Sequence, residues 1–146
     1  MITSVLRILL ICAVGGVAAC ATASSDPAGT FSRSHEVRYF DGEAWQQETV
    51  VDALVLSPVS PGVIDFELEI TGENMHSCEM RGRAVNVGDS FEHRDELRDG
   101  TEVAGGPCLL RITPAGDTVV VEDIGSLCRT VWCGARASIG RTEFRR

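Results

Sequence analysis

The sequence predicts an all-β protein, a small antiparallel barrel or sandwich of about seven to eight strands held by disulfides. Three observations predict it. Residues 63–70 alternate strictly, with Ile64, Phe66, Leu68 and Ile70 on one face and Asp65, Glu67 and Glu69 on the other, which is the period of a strand with one packed and one wet side. Further short apolar runs recur between glycine- and proline-containing turn signals. Cys78, Cys108, Cys128 and Cys133 make an even set in the second half of a 146-residue chain, the pattern of a small exported domain stapled by two bridges.

The elements follow in order. Met1–Arg7 carries one positive charge, and Ile8–Ala19 is an apolar and small-residue run of twelve. That is short of the roughly 20 residues a bilayer-spanning helix needs, and it suits the core of a signal peptide cut after residue 19. Residues 20–30 (CATASSDPAGT) read as a flexible tether, leaving 31–146 as a single β-domain. His35–Phe40 and Glu48–Leu56 read as strands about Asp41-Gly42, a two-residue hairpin signal. Pro58 and Pro61 are expected to end the second strand, since proline donates nothing to a ladder.

After Val63–Ile70 and a turn at Gly72–Asn74, Ser77–Val87 returns with Cys78, Met80, Gly82 and Ala84 on one face. Arg81 and Arg83 then share the other face, opposite Glu67 and Glu69. Asp89–Asp99 (DSFEHRDELRD) reads as a helical turn, with Asp89 and Glu92 spaced as a capping box. Cys108–Thr113 and Asp117–Glu122 form a hairpin about Pro114-Ala115-Gly116. Cys128–Cys133 reads as a tight cysteine-closed loop presenting Trp132, and Ala135–Phe144 as one last strand.

The chain holds 21 acidic residues against 13 basic ones, all of the latter arginine, for a formal charge of −8. Loss of residues 1–19 removes Arg7 alone and makes it −9. Nucleic acid, which needs a basic face, is excluded as an expected partner. Charge is uneven: Cys128–Arg146 holds five arginines against Glu143 alone, while the acids concentrate between Glu36 and Glu102. Such asymmetry suggests a surface that faces a partner.

Val17-Ala18-Ala19-Cys20 resembles the lipobox of bacterial lipoproteins. The resemblance implies cleavage before Cys20 and acylation of Cys20, palmitate among the possible chains, with more than one chain for stable anchoring. Ala21 rather than Asp at the next position implies an outer-membrane anchor facing the periplasm; ordinary cleavage after Ala23 is the alternative. With Cys12 lost and Cys20 lipidated, four cysteines remain, and four allow three connectivities. Face parity favours Cys78–Cys108 with Cys128–Cys133. A zinc site is disfavoured, because neither C-x4-C nor C-x29-C has the spacing of a structural zinc module.

Catalytic and metal candidates are weak. His76 and Ser77 offer a base and a hydroxyl, but no G-x-S-x-G elbow, H-E-x-x-H pair or phosphate-cradling loop occurs. His93 with Asp89, Glu92, Asp95 and Glu96 lacks the glycine and alternating oxygens of a calcium loop. No cofactor is called for. Trp132 with Arg129 and Arg136, and separately Trp45, are binding candidates, since Trp and Arg dominate interface hot spots; His76 is a further one.

Asn74-Met75-His76-Ser77-Cys78, Cys108-Leu-Leu-Arg-Ile, Gly116-Asp-Thr-Val-Val-Val and Cys128-x4-Cys133-Gly134-Ala135-Arg136-Ala137 together resemble a group of small bacterial envelope lipoproteins. That resemblance implies an exported β-domain with paired cysteines and brings no activity with it. A class-level similarity to lysozyme-inhibitor domains is looser, for neither a Ser-Gly-rich inhibitory segment nor a cysteine-bracketed Lys-Pro-His-Asp loop is present. The expected function is a non-catalytic, lipid-anchored binding module of the envelope, taking a basic envelope-active protein such as lysozyme. The alternatives are a structural or stress-related spacer without a ligand, and a small hydrolase using His76 and Ser77.

Overall fold

The computed structural model describes residues 27–95, 97–98, 101–102 and 105–146. The expected signal peptide, Cys20 and most of the expected tether lie outside the described residues. Among the described residues are ten strands: β1 (Gly29–Phe40), β2 (Trp45–Ser60), β3 (Val63–Thr71), β4 (Ser77–Val87), β5 (Ser90–Asp95), β6 (Leu97–Arg98), β7 (Thr101–Glu102), β8 (Cys108–Ala115), β9 (Thr118–Ile124) and β10 (Arg141–Arg145). One short helix, α1 (Leu127–Trp132), stands between β9 and β10.

Eight strands close into an antiparallel barrel in the order β1-β10-β9-β8-β5-β4-β3-β2, and β6-β7 make a small separate ribbon. Apart from the closing pair β1–β10, every neighbour in the barrel is the next barrel strand in sequence. Closure leaves the inward residues to fill the interior: Phe31, Leu54, Leu56, Ile64, Phe66, Leu110, Ile112, Val119, Val121 and Phe144 are all buried. The outward residues of β3 are Asp65, Glu67 and Glu69, so the alternation is apolar-in and charged-out, the inverse of a membrane-spanning barrel.

The two ends of the barrel differ. At one end β2–β3, β4–β5 and β8–β9 are joined by two residues each, Pro61-Gly62, Gly88-Asp89 and Gly116-Asp117. The N-terminal entry at Gly29 and the end of β10 lie at this same end, where Ser32 pairs with Arg145. The long connections, α1 and both disulfides gather at the other.

Several expectations need correction. The disulfides are Cys78–Cys133 and Cys108–Cys128, not Cys78–Cys108 with Cys128–Cys133. The reason is α1. The segment after Cys128 coils into a helix rather than a closed loop, because Asp123 accepts the N–H groups of Cys128 and Arg129, both at 3.0 Å, and anchors its first turn. The helix aims Cys128 at β8 and delivers Cys133 to the start of β4, where Cys78 and Cys133 also form a β-bridge.

Over the described part of 89–99 the expected helical turn is instead strand, chiefly β5, whose Phe91 pairs with Ile112 and Asp95 with Cys108; Glu96 and Asp99 lie outside the described residues. Tertiary pairing overrides the capping-box spacing. Arg83 pairs with Asp65, at 2.8 Å, rather than with Glu69; the register puts Glu69 opposite Glu79. The Asp41-Gly42 hairpin has a four-residue tip, Asp41–Ala44, and β1 begins at Gly29, two residues inside the expected tether. Pro58 does not stop β2. It pairs with Ile64 beyond the point where β1 ends opposite Leu56, and a register shift between Pro58 and Ser60 absorbs the irregularity.

Candidate functional site

The feature that leaves the barrel is a two-stranded arm. β2 meets β3 only from Ala53 onward, and β1 meets β10 only at Ser32. Trp45 to Asp52 therefore pair with β1 alone, a stretch of roughly 25 Å at about 3.3 Å per residue. A free two-stranded ribbon is marginal in water, so its supports are informative.

Three supports hold it. The Asp41 carboxylate accepts the N–H groups of Glu43 and Ala44, both at 2.8 Å, and the Gln46 amide at 2.8 Å. These bonds favour its charged form, and Asp41 is held below the usual carboxylate range, by Ala44 first, then Glu43 and Gln46. Phe40 and Trp45 face each other across the ladder with ring centroids 5.8 Å apart, and the Arg38 guanidinium lies 5.4 Å from the Trp45 ring. A short 3-10 turn, Glu73–Met75, braces the arm from the β3–β4 connection: Asn74 accepts the Phe40 N–H at 2.9 Å.

The brace is strained. Asn74 and Met75 both have left-handed backbone, φ 53° and 59°, which disfavours an L-residue such as Met by about 1–2 kcal/mol. Large apolar groups stand in the open along the arm tip and its brace: Phe40 is 50% exposed, Trp45 52% and Met75 46%. Exposed aromatics held in place while the backbone around them is strained are the marks of a contact surface. Around them stand carboxylates. Asp41 and Glu43 lie in the tip and Glu73 in the brace, all three exposed; Glu48, across the ladder from Val37, is on the other face of the arm from Phe40 and Trp45.

The residues singled out from sequence do not form one surface. Trp45 belongs to the tip. Trp132 is half-buried, packs against the core and donates its indole N–H to Asp95 at 3.1 Å; its remaining surface lines a shallow acidic groove with Glu67, Glu69, Glu79 and Arg81. Arg129 donates to the Ala135 carbonyl, and Arg136 borders a different cleft, with Arg33 and His35. His76 follows the brace, with its ring against Gly134, and the Ser77 hydroxyl donates to Glu79 rather than to His76.

His93 lies on β5. Its Nδ1 is 2.8 Å from the Arg83 carbonyl, and its ring occupies the space that a Cβ at Gly82 would take. Glu92 is engaged by Arg111 and Asp95 by Trp132; Glu96 lies outside the described residues. Among the described residues, no group of three His, Cys, Asp or Glu side chains is placed to hold a metal ion.

Sequence reasoning named Trp45 and missed Phe40, Asn74 and Met75. The available signal was an aromatic on each side of the Asp41-Gly42 turn; nothing local marks Met75, which is placed by backbone strain. Comparison with protein-family models, curated proteins and solved structures returns no match for this chain.

Proposed function

We propose that the protein is a non-catalytic binding module of the bacterial envelope, lipid-anchored through Cys20, whose arm tip docks a basic protein. The observation that carries this reading is the exposed Phe40–Trp45 pair at the arm tip, with Met75 exposed in the adjoining brace and the carboxylates of Asp41, Glu43 and Glu73 exposed beside them. Rigid aromatics supply contact area at small ordering cost, and the acidic rim steers and selects a cationic partner. The tip is at the barrel end away from Gly29, so an anchor before β1 presents it outward from the membrane. An acidic rim also disfavours insertion among anionic lipids. Lysozyme is the first partner to test, being strongly basic and active on the envelope.

The purified full chain is expected to bind lysozyme saturably with a Kd of about 1 μM, and Trp45→Ala to weaken binding about tenfold or more. Raising salt is expected to slow association. Absence of binding at micromolar concentration, or binding untouched by Trp45→Ala and Phe40→Ala, counts decisively against this docking. For the anchor, fatty-acid labelling is expected in the wild type and lost in Cys20→Ser; equal labelling removes it.

A further inference from the structure

A second site lies inside the mouth of the barrel, on the face opened where β1 parts from β10. The inward positions there are not apolar. Asp52, fully buried, accepts two hydrogen bonds from Arg33 on Oδ2 and the Thr71 N–H on Oδ1 at 2.8 Å. His35 Nε2 stands 3.1 Å from the same Oδ2, yet off the line of a hydrogen bond, and is buried without a hydrogen-bond partner. Above this trio is a cleft of about 370 Å³, closed on its other side by the Arg136–Arg141 segment.

The charges in the cleft do not cancel as they do elsewhere. Arg33, Arg83, Arg111 and Arg145 each sit on a carboxylate. Arg136 and Arg141 have no ion-pair partner among the described residues, although acids outnumber arginines in this chain. Both border the same cleft, with Arg33, one-third exposed there, and His35, about one-quarter exposed. Of the carboxylates nearby, Asp52 is neutralised by Arg33, Glu36 accepts from Gln47, and Glu73 is exposed at the rim; Glu122 stands opposite Arg141 in the β9–β10 ladder without forming an ion pair with it.

We infer that this cleft binds a phosphate-type oxyanion, held by Arg136 and Arg141 with Arg33 and His35 beneath them. Planar guanidinium forks match tetrahedral oxyanions, and barrel mouths are common places for small ligands. The same chemistry occurs in dissolved phosphate and in the phosphate of a lipid headgroup. The inference stands apart from the docking tip, which its variants leave intact.

The test is titration of the isotopically labelled full chain with inorganic phosphate, read on the His35 ring and the amides of Ser138–Thr142, beside titration with phosphatidylglycerol vesicles. Saturable shifts with a Kd of about 1 mM for inorganic phosphate are expected, and Arg136→Gln with Arg141→Gln should weaken them about tenfold. Arg81→Gln, outside the cleft, should leave them unchanged. Shifts with vesicles alone, lost in the same double variant, identify a headgroup as the source. No saturable shift with either probe, or shifts that persist in the double variant, overturn the site.

Discussion

Replacing Cys78 and Cys133 together with alanine is expected to lower stability by about 4 kcal/mol and Tm by roughly 15 °C. The bridge spans 55 residues, and in the chain-entropy picture the lost constraint grows with the logarithm of that span. The Cys108–Cys128 bridge spans 20, so its removal is expected to be milder, at about 3 kcal/mol. Against a usual domain stability of about 5–15 kcal/mol, either loss is severe. α1 is only six residues long and would not hold a helix alone; it is fixed because Cys128 ties one end to β8 and Cys133 the other to β4. Urea titration of the two double variants gives the comparison. A loss below about 1 kcal/mol for the Cys78/Cys133 pair contradicts the assignment, as does a peptide map that links Cys78 to Cys108.

Asp52→Ala is expected to cost about 3 kcal/mol, the lower end of what breaking a buried charge pair costs. The substitution leaves the Thr71 N–H without its acceptor and the Arg33 guanidinium without its counter-charge, inside a barrel whose neighbouring positions are Leu54 and Ile70. Arg33 is one-third exposed and can turn toward water, which keeps the loss from the upper end. Asp52→Asn keeps an acceptor for Thr71 and should lose less. Denaturant unfolding with amide exchange at Thr71 measures both. Equal stability in wild type and Asp52→Ala would mean that the polar trio is solvated in the folded protein.

The parts of this fold that were legible were those governed by local periodicity. Val63–Ile70 alternates because one side of β3 packs and the other is wet, and the barrel places those residues as the pattern demands. Turn chemistry marked the β8–β9 hairpin as well, although Pro114 and Ala115 pair within β8 and the turn itself is Gly116-Asp117. What failed depended on distant partners. The segment over 89–99 has helix-start residues, but Phe91 is held by Ile112, twenty-one positions away. The cysteine connectivity turned on Asp123 anchoring a helix, a contact that face parity does not contain.

The candidate sites divide along the same line. Trp45 was visible because an aromatic beside a tight turn has little to pack against. Trp132 read the same way, yet Asp95 takes its N–H and the core takes much of its ring. The cleft around Asp52 was missed, although an acid at an inward position among Val50, Val51, Ala53 and Leu54 was a usable sign. Knowing that this position faces inward requires the register with β1.

β2 outruns β1 at its far end, so Ser57 to Ser60 carry one row of main-chain groups with no strand paired to it. Such a row is where a second molecule adds itself edge to edge. Pro58 removes a donor from that row and the shift at Ser60 bends it, so the template for polymerisation is spoiled at this end. The same proline that looked like a strand terminator is better understood as protection against self-association.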